Sequence, residues 1–122
     1  MEIVLVADGY AALRRLYLQE FEREGYGVVC ASTAAETIKI MQTAAPDLVI
    51  IEPRMPDMDI PEAMECIRKE KGDIPVIINT ANSLSPDDLS RCPIRACLTK
   101  SSDISELKET VRRLLSSKLR TA

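Results

Sequence analysis

Four polar residues stand at the ends of four apolar runs in this 122-residue chain: Asp8 after IVLVA, Glu52 after LVII, Thr80 just beyond IPVII and Lys100 just beyond IRACL. Two carboxylates, one hydroxyl and one ammonium suit the pairing and neutralising of charge in a crevice. A lysine at a buried strand end needs a counter-charge, because an unpaired ammonium loses its hydration with nothing in return. Asp8 and Glu52 are the acids that could supply it. Asp8 could also cap a helix starting at Tyr10, and the Thr80 hydroxyl could bond local backbone instead. The same end of four strands would not collect these groups by chance scatter.

The elements that must position them follow from hydrophobic pattern. Ile3 to Ala7, Gly27 to Ala31, Leu48 to Ile51, Ile74 to Ile78 and Ile94 to Leu98 are short and nearly continuous in apolar character, as strands buried on both faces are. Helical periodicity lies between them. A first helix is expected from Tyr10 to Glu24 with Leu13, Leu16, Tyr17 and Phe21 inward and Gly25 as its stop. A second is announced by Thr33-x-x-Glu36, faces Ile38 and Met41 inward and ends before Pro46. A third starts near Pro61 and carries Met64 and Ile67. Ser85-Pro86-Asp87-Asp88 opens a short fourth, closed by Pro93. Asp103-x-x-Glu106 caps a long last helix with Leu107, Val111, Leu114 and Leu115 inward. Strands alternating with helices give an α/β class, a doubly wound five-stranded parallel sheet with helices on both faces. Ligand crevices in such sheets lie at the carboxyl ends of the strands.

Composition narrows the function classes. Apolar residues make up 46% and charged residues 29%, an ordinary globular balance, and the length fits a single domain over residues 1–122. The net charge of −3 argues against nucleic-acid binding, and Arg112, Arg113, Lys118 and Arg120 share their helix with acids. No apolar run approaches a membrane span and Met1-Glu2 leads straight into a strand, so a cytoplasmic protein is expected. Without histidine a Cys/His zinc site is excluded. Cys30, Cys66, Cys92 and Cys97 form no C-x-x-C pair and read as small buried or half-buried thiols. A redox role for Cys92 and Cys97 is the weaker reading. Met55, Met58 and Met64 read as soft packing near the crevice.

LVADG, PDLVIIEPRMPDMD, PVIINTA and CLTKS, in this order and spacing, resemble the receiver domain of two-component response regulators, similar to the chemotaxis response regulator, over essentially the whole chain from Ile3 to about Leu115. The resemblance implies a flavodoxin-like sheet of order 2-1-3-4-5. It also implies a strand-three carboxylate that takes a phosphoryl group from a histidine kinase, with acids after strand one holding Mg²⁺. Phosphoryl transfer of this kind depends on positioning and charge neutralisation more than on covalent help. By position, Glu52 matches the phosphoacceptor, Asp8 the second acid, Thr80 the switch hydroxyl and Lys100 the cation.

The chain departs from the family where the chemistry would occur. Glu52 replaces the usual aspartate, and its extra methylene moves the carboxylate about 1 to 1.5 Å further out. Misplacement of about 1 Å can cost on the order of a hundredfold. Ala7 stands where the first acid belongs, leaving Asp8 and Glu52 for a weak Mg²⁺ site or none. Cys97 replaces a strand-five Tyr or Phe, Lys100-Ser101 replaces Lys-Pro and should be trans, Ile60 replaces a Gly, and Pro93-Ile94 replaces Gly-Ala. The expectation is an atypical, stand-alone receiver-type domain, not an enzyme, with phosphorylation lost or weakened. It would act on protein partners such as a histidine kinase or output protein, as a monomer or weak dimer. Glu52 would either mimic phosphoaspartate in part or pair inertly with Lys100. A conventional Mg²⁺-dependent phosphorylatable receiver is the alternative, and a flavodoxin-like ligand or redox module a remote one.

Overall fold

A computed structural model describes residues 1–57, 60–71, 74–81, 96–101 and 103–121. Five strands, β1 (Ile3–Ala7), β2 (Gly27–Ala31), β3 (Leu48–Ile51), β4 (Val76–Thr80) and β5 (Ala96–Thr99), form one sheet of order β2-β1-β3-β4-β5. Every neighbouring pair is parallel, with Val6 opposite both Cys30 and Ile50, Ile50 opposite Ile77, and Thr80 opposite Thr99. The expected fold class and strand order are therefore those observed. The helices are α1 (Ala11–Arg23), α2 (Ala34–Thr43), α3 (Ile60–Lys71) and α4 (Ser105–Thr121). The short helix expected from Ser85 to Pro93 lies outside the described residues, as do Met58, Cys92, Pro93 and Ile94.

The pleat sends alternate strand residues to two apolar layers. Leu5, Val49, Ile51, Val76 and Ile78 pack on one face with Met41, Met64 and Ile67 of α2 and α3. Val4, Val6, Leu48, Ile50 and Ile77 pack on the other with Tyr17, Phe21, Leu107, Val111 and Leu115 of α1 and α4. Both faces of the central strands are covered, which explains their unbroken apolar sequences. No helix among the described residues is long and apolar enough to cross a membrane.

Several local expectations shift. β4 begins at Val76, two residues later than Ile74, since Pro75 has no N–H to give the ladder; Pro75 instead accepts through its carbonyl from Val49 N–H. It runs on to Thr80 because polar Asn79 and Thr80 both find partners. Leu16 is 38% exposed rather than inward; Tyr17 and Phe21 anchor α1 with their rings edge-on at 6.4 Å. Met55 and Met64 are core residues, which fits packing rather than recognition. Cys30 is half-buried as expected, whereas Cys97 is exposed because β5 is an edge strand.

The caps show why the helices begin where they do. Thr33 accepts from Glu36 N–H at 3.1 Å, while the Glu36 carboxylate returns to Ser32 N–H at 2.9 Å. A second carboxylate reinforces this end: Asp57 accepts from the Ala34 and Ala35 N–H groups at 2.8 and 3.1 Å. Those bonds to α2's first turn hold the Asp57 carboxyl below its ordinary range. Asp103 accepts from Ser105 N–H at the head of α4. Helix α2 ends through Ala45, held at φ 47, and α1 through Gly25 at φ 95.

Candidate functional site

The sheet ladder itself assembles the site. Asp8 N–H donates to Ala31 O, Glu52 N–H to Ala7 O and Lys100 N–H to Thr80 O, so each residue extends its strand by one more rung. Their side chains thus emerge together at the carboxyl edge of the sheet. Asp8, Glu52 and Thr80 are 2%, 3% and 2% exposed, and the Lys100 side chain 10%. The structure brings together all four of the residues singled out from the sequence.

Lys100 chooses Asp8. Its Nζ lies 2.8 Å from Asp8 Oδ2 and 3.9 Å from Glu52 Oε2, so the pair with Glu52 is at the limit of ion-pair reach. The Thr80 hydroxyl donates to Glu52 Oε1 at 3.2 Å, and Glu52 Oε2 is buried without a hydrogen bond among the described residues. Burial is the largest influence on the Glu52 carboxyl and pushes it above its usual range. The Thr80 bond and the Lys100 charge pull it down, and Asp8 pushes it up further.

Asp8 is committed at every polar atom. Oδ1 accepts from Tyr10 N–H at 2.9 Å, Oδ2 meets Lys100, and the backbone carbonyl accepts from Arg14 Nη1 at 2.7 Å. Asp8 is therefore not the N-cap of α1: that position is Tyr10, which makes no side-chain cap bond. The Tyr10 ring lies over Lys100 Nζ at 5.1 Å, a cation–π contact that walls the ammonium on its open side. Sequence reasoning did not find Tyr10, because nothing in an exposed aromatic at a helix start signals a distant ammonium.

The residues fit a divalent cation poorly. Mg²⁺ needs several oxygen ligands in octahedral array. Ala7, which precedes Asp8, packs with Met55 and Ile51 and offers none. Both Asp8 oxygens and one Glu52 oxygen are already engaged, and no group of three potential ligands occurs among the described residues. A metal at Asp8 would compete with the Lys100 ammonium for its charge.

Comparison with known proteins places this arrangement. The family model for the response regulator receiver domain matches residues 4–112. The chain is 30% identical over 93% of its length to a probable transcriptional regulator, ycf27, of Porphyridium aerugineum, and 33% identical over 89% to the transcriptional regulatory protein GlrR of Escherichia coli. It spans 48% and 25% of those two proteins. Among solved structures it is similar to the response regulator TrrA of Thermotoga maritima, solved with Mg²⁺ and BeF, at 35% identity and a TM-score of 0.84 over 93% of this chain and 99% of that one. TrrA has also been solved in complex with the histidine kinase ThkA. Five parallel strands in this order, acid, hydroxyl and lysine at their carboxyl ends, and a family match over nearly all of the sheet lead to one conclusion: the chain belongs to the response regulator receiver domain family.

Proposed function

We propose that this receiver domain serves two-component signalling without a working phosphoryl-transfer site, acting by contact with protein partners. The observation that carries the reading is the Lys100 ammonium, held 2.8 Å from Asp8 under the Tyr10 ring while Glu52 rests on Thr80. The cation and hydroxyl that a phosphoryl group would recruit are engaged inside the protein. The acceptor position carries the longer acid, and the first metal-binding acid is replaced by Ala7. Glu52 supplies a fixed negative charge at the acceptor position with two oxygens rather than a phosphoryl group's three, so it reproduces part of the phosphorylated state.

TrrA's complex with ThkA supports a histidine kinase as one class of partner, and the transcriptional regulators among the relatives support an output module as another. The whole of residues 1–122 is read as one receiver domain with a binding rather than a catalytic role. Acetyl phosphate or beryllofluoride with millimolar Mg²⁺, followed by intact mass and by amide NMR, tests this directly. Expected are an unchanged mass and unmoved Thr80 and Lys100 amides. A phosphoryl mass increment, or saturable shifts at those amides, establishes the conventional phosphorylatable receiver instead.

A further inference from the structure

A second polar pair lies directly behind the pocket. Asn79 precedes Thr80 on β4, so the pleat turns their side chains to opposite faces. Thr80 reaches Glu52, while Asn79 Nδ2 donates to the Tyr17 hydroxyl of α1 at 2.9 Å. Tyr17 and Asn79 are both buried, in a layer otherwise filled by Val6, Phe21, Ile50, Ile77 and Val111. An amide and a phenol in such a layer are tolerable only because each satisfies the other.

The pair also lies within electrostatic reach of the pocket. Burial raises the Tyr17 phenol above its ordinary range, the Asn79 bond lowers it, and the charges of Lys100, Asp8 and Glu52 all act on it. A small cavity lies beside the pair, lined by Tyr17, Asn79, Thr99, Ser101 and Asp103. Thr99 and Ser101 flank Lys100 in the chain, so the cavity adjoins the end of β5 that carries the pocket's ammonium. Cys97, by contrast, is exposed on β5 and carries no ring that could report on Thr80.

We propose that the Tyr17–Asn79 hydrogen bond carries the charge state of the Glu52 pocket to helix α1, making α1 the reporting face of the domain. Asn79 shares a backbone with Thr80, so a change in the pull of Glu52 on Thr80 moves both. Tyr17 is the buried anchor of α1 and moves with Asn79. The inference rests on the reading of the pocket as a signalling site.

Amide NMR on the whole chain tests it, with Glu52→Gln as the perturbation and Tyr17→Phe and Asn79→Leu as the cut. Glu52→Gln alone should shift Thr80 and the α1 amides from Ala11 to Leu18. In either cut background the Thr80 response should persist while the α1 response falls to less than about half, the non-additivity expected of coupled residues. Tyr17→Phe keeps the ring, so α1 stays packed and a thermal melt checks that it does. Equal α1 responses with and without the Tyr17 hydroxyl overturn the inference, as does an α1 that ignores Glu52→Gln. Mg²⁺ and beryllofluoride binding is a separate measurement, so failure of the proposed function is told apart from failure of this coupling.

Discussion

The Glu52 carboxylate sets the energetics of the site. Its Oε2 is buried without a hydrogen bond among the described residues, and burial outweighs Thr80 and Lys100 in raising its proton affinity. The native state therefore holds a proton at Glu52 more tightly than the unfolded chain does. Stability must fall as pH rises from the ordinary glutamate value toward the folded one, and the full cost is present above that window. Glu52→Gln removes the charge. At neutral pH it should raise Tm on the order of 5 °C, the equivalent of about 1 kcal/mol, and flatten the acid side of the pH–Tm curve. Melts of both proteins between pH 4 and 8 check this, and a lower Tm for Glu52→Gln at neutral pH contradicts it. Lys100 has the opposite role. Lys100→Met leaves Asp8 and Glu52 buried together without their cation, at a cost of about 3 kcal/mol, which adding Glu52→Gln should partly restore in denaturant titrations.

At the scale of elements, the helix ends are the most testable parts. Ala45 closes α2 in the left-handed region at φ 47, where a Cβ crowds the carbonyl. Ala45→Gly should stabilise by about 0.5 to 1 kcal/mol, whereas Gly25→Ala at φ 95 should destabilise by about 1 kcal/mol or more. Urea midpoints at constant m-value measure both. The same ends show what the sequence could disclose. The four described helices are legible from their 3.6-residue stripes and end signals, and the strands from unbroken apolar runs. Pro75 moved the start of β4, because a missing N–H matters to the ladder but not to hydropathy. Asp57 lies 23 residues from Ala34 in sequence, so nothing in local pattern marks it as a second cap for α2. Asn79 lay in plain view as the one amide in VIINT, yet its partner is 62 residues away and on another layer. Residues that meet at strand ends were legible because parallel topology fixes where those ends go; pairings between layers depend on helix docking, which local pattern does not encode.

At the scale of the whole molecule, the receiver fold keeps its frame, and we propose that its pocket has turned inward on itself. By the family resemblance, metal binding in such a pocket uses two acids at the end of β1 and a phosphoacceptor carboxylate at the right reach. Here Ala7 belongs to the apolar layer with Met55 and Ile51, and the proposed reading has the longer Glu52 side chain overreach. Restoring only one of these should do little, because Glu52→Asp still leaves Asp8 committed to Lys100, and Ala7→Asp still leaves the longer carboxylate in place. In the proposed reading, the Ala7→Asp/Glu52→Asp double variant supplies the acids that the family resemblance implies, for which Mg²⁺ would compete against the Lys100 ammonium. In the absence of metal it should melt below the parent, since an acid then sits among apolar side chains without a partner. Adding Mg²⁺ should recover stability by mass action, about 2.7 kcal/mol at a hundredfold excess over Kd, while the parent melts at the same temperature with or without it. Calorimetric melts across a Mg²⁺ series distinguish the cases. A parent protein whose Tm climbs with Mg²⁺ would show that its own pocket holds the ion, and that the Lys100–Asp8 contact yields to it.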